Sequence, residues 1–221
     1  MKNLPLLSAL SDARIAKIVM NATRRVVYAA PGIQKQPADA LIAVSRKETP
    51  PYLTVSLDFD ERTLRMGYGS LEAVKKLREA GISITDSPGF RSGILIVDGS
   101  GWVFTPIAWY LEEEPQSDET PNAIELSPAQ VEEFAIRLCP ATREEAIQSQ
   151  KDPKLAQEIA DLPHEFGINE ISMEDFAKVE KAIQIAPPVK FDVVRQVRVF
   201  EPYLQYGEMK LTGAAIQKHK V

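Results

Sequence analysis

The sequence predicts an α/β fold: a layered unit with a mostly parallel sheet, then a helical segment, then a small antiparallel β element at the C-terminus. Three observations carry that reading. Short, fully apolar runs alternate with stretches of helical period over residues 1–111. Residues 126–185 keep the helical period alone, and after Ala186-Pro-Pro-Val the period changes toward two.

Taken in order, Leu10 to Ala22 spaces Leu10, Ala13, Ile15, Ile18 and Val19 as a helix, with Ser11 or Ser8 as N-cap. Arg25-Val-Val-Tyr-Ala-Ala30 is a buried strand stopped by Pro31-Gly32. Pro37 to Val44 reads as a helix with proline in its first turn. Tyr52 to Leu57 alternates as a strand and runs into Asp58-Phe-Asp60. Met66-Gly-Tyr-Gly-Ser70 is a turn into a helix over Ser70–Ala80, capped by Ser70 and ended by Gly81. Ile82-Ser-Ile84 reads as a short strand. Gly93–Val97 and Gly101–Phe104 then form a hairpin across Asp98-Gly-Ser-Gly.

Glu112 to Pro121 has the composition of a linker, and the predicted linker spans 112–125. Beyond it, Leu126–Leu138 starts a helix with Ser127 as cap and Pro128 in the first turn, and Val131, Phe134 and Leu138 share a face. Thr142 is the expected cap of a second helix from Pro140. Leu155–Leu162 and Ser172–Ile183 continue the pattern. Residues 186–221 are read as a hairpin or meander whose last strand, Gln217–Val221, either continues in a longer product or pairs with another chain. The expected domains are therefore 1–111, 112–125, 126–185 and 186–221.

The composition narrows function. One cysteine, Cys139, cannot form an internal disulfide or a thiolate metal cluster, and it suits a reducing cytoplasm. Two histidines, His164 and His219, leave little for a zinc site or a triad. The N-terminus does not read as a signal peptide, and no apolar run is long enough to span a membrane. The net charge of −5 divides into +4 over 1–111, −12 over 112–181 and +3 over 182–221. A polyanion partner is therefore not excluded by the sum. The acidic middle reads mainly as solvated helical faces.

The order of elements and the local sequence resemble one half of the phospholipase D superfamily over about residues 8–110. The residues that carry the resemblance are the strand ending in Pro31-Gly32, the helix Leu71-Glu-Ala-Val-Lys-Lys-Leu-Arg-Glu-Ala-Gly81, and the hairpin strand Ile94-Leu-Ile-Val-Asp98. The resemblance implies a site built on a His-x-Lys-x(4)-Asp motif. There the histidine attacks phosphorus and the lysine stabilises the phosphoryl oxygens. Aligned on Asp98, the histidine position holds Arg91 and the lysine position holds Gly93. The family's Gly-Ser and following Asn fall on Thr105, Pro106 and Ala108.

A guanidinium is not a nucleophile at neutral pH, and glycine offers no side chain. The resemblance therefore implies a degenerate half-domain without the family's phosphodiesterase activity and with no cofactor. Its expected form is a homodimer that acts as a scaffold or binding protein, with a protein partner or a phosphodiester polyanion such as nucleic acid, and no membrane. Arg91 is the candidate anion contact, since a guanidinium matches phosphate bidentately. Asp98 reads as a turn residue. The alternative is a metal-dependent phosphodiesterase or nuclease built on Asp58, Asp60 or Asp98; helix capping and first-turn placement explain Asp58, Asp60 and Glu61 as well. Trp102, Phe104, Trp109 and Tyr110 gather near the hairpin as core, protein interface or base-stacking surface.

Overall fold

The computed structural model describes residues 7–111, 120–163, 165 and 169–188. The chain divides into two units, 1–189 and 190–221. The second unit lies outside the described residues, and with it the expected β element and His219. His164 and residues 112–119 of the expected linker lie outside them too.

The first unit runs β1 (Leu7–Ser8), α1 (Asp12–Met20), β2 (Arg25–Ala30), α2 (Lys35–Ser45), β3 (Tyr52–Leu57), α3 (Glu61–Met66), α4 (Leu71–Glu79) and β4 (Thr85–Asp86). It continues with β5 (Gly93–Val97), β6 (Ser100–Phe104), β7 (Ala123–Glu125), α5 (Pro128–Leu138), α6 (Pro140–Ser149), α7 (Pro153–Ala160) and α8 (Met173–Ile185).

Local chemistry sets the helix starts. Ser11 accepts from the Arg14 N–H, Ser70 from Ala73, and Ser127 forms a reciprocal box with Gln130 behind Pro128. Asp60 caps α3 by accepting from the Arg62 N–H at 2.6 Å. Gly67 ends that helix at φ +87°, a left-handed conformation that favours glycine. Thr142 is not a cap: α6 begins at Pro140 behind Cys139, and Thr142 is buried inside the helix. Proline needs no N–H partner at a first helical position, so the helix starts earlier than the threonine.

The described strands form one sheet in the order β1-β7-β6-β5-β2-β3-β4. Only β2–β3 and β3–β4 are parallel. The pairs β2–β5, β5–β6, β6–β7 and β1–β7 are antiparallel, so the expectation of a mostly parallel sheet is corrected. Fully apolar strands suggested parallel neighbours, but they require only that both faces be covered. On one face, Ile15, Val19, Leu41, Val44, Val74 and Leu77 of α1, α2 and α4 pack on Val26, Tyr28, Val55 and Leu95, and Phe176 and Val179 of α8 join them. On the other, Val131, Ala135 and Leu138 of α5, with Cys139, cover Val27, Ala29, Ile94 and Ile96. Each such buried aliphatic contributes about 1.5–3 kcal/mol.

Two more elements depart from the sequence reading. The last residues of the 112–125 segment form β7, which joins β6 to β1. Ile82 and Ile84 are buried, but the strand begins after them at Thr85.

Candidate functional site

Of the positions named from the resemblance, Gly93 opens strand β5, Arg91 precedes it and Asp98 follows it, and the two ends of the strand are built differently. Its start lies beside the C-terminal ends of β2 and β3, because β5 runs antiparallel to β2 while β2 and β3 are parallel. In open α/β sheets, ligands sit where parallel strands end.

Arg91 stands just before β5 and is ion-paired to Asp58, which follows β3. The Asp58 side chain is 6% exposed and that of Arg91 55%. The same carboxylate oxygen, Oδ2, accepts from Thr63 Oγ1 at 3.1 Å. Arg91 Nη1 also donates to the Phe90 carbonyl at 3.2 Å. Its Nε and Nη2 have no hydrogen-bond partner among the described residues, so one edge of the guanidinium fork is open. Beside Phe90 and Ile94 a groove of about 350 Å³ runs along Phe134, Leu138 and Arg137 of α5.

Gly93 is buried and pairs with Phe104 on β6. A Cβ built at Gly93 would run into the Phe104 ring, so any side chain here requires that ring to shift. Phe104 in turn packs tilted against Tyr28, with ring centroids 6.5 Å apart. Trp102 and Phe104 thus belong to the core. Trp109 and Tyr110 are half-buried, their backbone N–H groups donating to Gly67 and Met66.

Just past the far end of β5 is Asp98, whose φ of +53° is a left-handed turn conformation. Its carboxylate accepts the backbone N–H groups of Thr23, Arg24 and Arg25, at 3.1, 2.8 and 3.1 Å, and the Thr23 hydroxyl at 3.0 Å. Burial raises its pKa, but these donors outweigh that and hold it below the usual carboxylate value. Arg25 extends the clamp. Its side chain is 1% exposed, donates Nε to the Asp98 carbonyl at 3.0 Å, and is ion-paired to Glu132 of α5. Glu145 of α6 pairs with Arg24 at 2.8 Å. Part of the acidic charge of 112–181 therefore faces the basic N-terminal residues of this unit.

A further carboxylate is special. Asp12 lines a cavity of about 20 Å³ with Tyr28, Gln34, Tyr68, Trp109 and Asn122, room for a single water. Burial raises its pKa to about 6, against a weaker opposing hydrogen bond with the Trp109 side chain. Asp86, which accepts from the Phe59 N–H at 3.2 Å, is also raised, by burial first and then by its acidic neighbours.

The structure thus brings Asp58 and Arg91 together, places Asp60 and Glu61 at the start of α3, and sets Asp98 at the opposite end of β5. Among the described residues no group of three His, Cys, Asp or Glu side chains could hold a metal ion. Arg25, Glu132 and Asp12 were not singled out from sequence. A charge opening a wholly apolar run was the one available signal for Arg25.

No family model and no curated protein matches the chain. Among solved structures it is similar to a phospholipase D family member, Nuc from Salmonella typhimurium: 18% identity, TM-score 0.40, covering 62% of this chain and 86% of that one. It is also similar to TrmBL2, an archaeal chromatin protein whose structure shows a novel mode of DNA binding. There the identity is 12% and the TM-score 0.35, covering 69% of this chain and 56% of that one.

Proposed function

We propose that the chain is a non-catalytic, phospholipase D-like half-domain that works as a homodimer and binds a phosphodiester polyanion such as DNA or RNA. The observation that carries this reading is the pair of substituted motif positions. At the nucleophile position stands an exposed arginine with an open donor edge, and at the lysine position the Phe104 ring fills the place of a side chain. The site keeps a group that attracts phosphate and lacks both groups that would cleave its ester.

The rest of the surface agrees in part. Much of the positive charge of 1–111 serves the fold. Lys47 donates to the Met20 and Ala22 carbonyls, Arg65 to those of Ala182 and Ala186, and Arg78 to that of Ser172. Lys17, Lys35, Arg46, Arg62 and Lys75 are exposed and have no side-chain partner among the described residues. They belong to α1–α4 and their ends, which leaves a modest cationic layer. For the dimer, Leu7 and Ile124 pair across β1–β7 and are 49% and 46% exposed, an apolar patch that a second copy could cover.

Titration of short labelled DNA and RNA at low and moderate salt tests the binding. Affinity is expected to fall with salt and to weaken in Arg91→Ala. No binding at low salt removes the nucleic-acid part of the proposal. Metal-dependent cleavage that disappears in Asp58→Ala would replace it with the enzyme reading. Sedimentation of the full chain tests the dimer.

A further inference from the structure

We infer that Asp58 is a built-in counter-anion that sets how tightly Arg91 holds a phosphodiester; the inference rests on the anion-binding role proposed for Arg91. Asp58 is buried while Arg91 is largely exposed, so the carboxylate cannot itself meet a ligand and acts only through the guanidinium. It engages one nitrogen, Nη1, and leaves Nε and Nη2 open. Thr63 holds the same oxygen from behind, which fixes the carboxylate against the arginine.

The ion pair has two opposing effects. It orients the fork outward, which favours a bidentate anion. It also cancels most of the cation's charge at contact distance, which disfavours one. The two are separable by chemistry. Asparagine keeps an oxygen that accepts from Arg91 and Thr63, and so keeps the orientation while removing the charge. Removing the charge alone should therefore strengthen binding.

The experiment compares the affinity of a short labelled DNA, and of the matching RNA, for wild type, Asp58→Asn and Arg91→Ala, with circular dichroism to verify folding. Asp58→Asn is expected to bind up to about five-fold more tightly, the range of a partly exposed ion pair. The gain should vanish in Asp58→Asn combined with Arg91→Ala. Asp58→Ser, smaller and also neutral, repeats the measurement if the amide does not pack. Binding that is unchanged or weakened in both neutral variants while Arg91→Ala weakens it overturns the inference and leaves the anion-binding reading standing; binding that Arg91→Ala leaves unchanged overturns both. Binding by none of the proteins overturns both.

Discussion

At the end of β5, Asp98 gathers backbone and hydroxyl donors from Thr23 to Arg25, and Arg25 is buried between it and Glu132. At the start of the same strand, Arg91 is exposed, Asp58 meets one of its nitrogens, and Gly93 yields its place to Phe104. The two ends differ in what their charged groups do. The Asp98 end uses charge to join elements distant in sequence, with its donors converging on one carboxylate. The Arg91 end presents a cation outward. The bonds of Asp98 explain the aspartate without chemistry: it holds the start of β2.

Substitutions at the two ends should therefore separate by size. Asp98→Ala strips the acceptor from Thr23, Arg24 and Arg25 and leaves alanine in a left-handed turn. It should cost about 3 kcal/mol in denaturant unfolding. Next comes Gly93→Lys, which restores the motif residue in name but drives it into Phe104. It should cost about 2 kcal/mol, give no phosphodiesterase activity, and lose part of its cost when Phe104→Ala is added. Full additivity of that pair would refute the packing account of Gly93. Arg91→Ala should cost less, about 1 kcal/mol, because water reaches the pair and tempers the buried carboxylate left behind. A larger loss than that of Asp98→Ala would reverse the comparison.

The smallest effect is in the pH profile, where two aspartates work in opposite directions. Asp12 is raised to about 6 in the folded chain against 3.8 for the ordinary group. Its added stability is therefore fully present below 3.8 and is lost as pH rises through about 6. Asp98 is lowered, so its contribution is present above 3.8 and is lost as pH falls through its folded value. Chemical denaturation across pH 3–7 should show the first slope shrink in Asp12→Asn, with Asp86 keeping the remainder, and the second shrink in Asp98→Asn, with Asp175 keeping the remainder.

Much of this was legible from residues. β2, β3 and β5 lie where their apolar runs lie, and α4 follows its serine cap and Gly81. α3 was legible only as a candidate cap and first turn at Asp58, Asp60 and Glu61, without the extent that Gly67 ends. Six residues carry too little periodicity to stand out. Strand direction was missed because a side-chain pattern reports burial and not orientation. β7 was missed because three residues beside a polar stretch become a strand only through partners far away in the chain. At the site, Arg91 and Gly93 could be named from sequence. Their surroundings could not, because Asp58 and Phe104 meet them only through the sheet.

The Asp98 clamp also bears on the order in which the chain assembles. Its hydrogen bonds join residues 73 to 75 positions apart. Loop closure over that distance is unfavourable until the intervening strands and helices have shortened the loop. The clamp should therefore form late, after β2 and β3 have paired. Weakening it would then leave the refolding rate nearly unchanged and hasten unfolding, so Asp98 would act as a latch on the lifetime of the folded state.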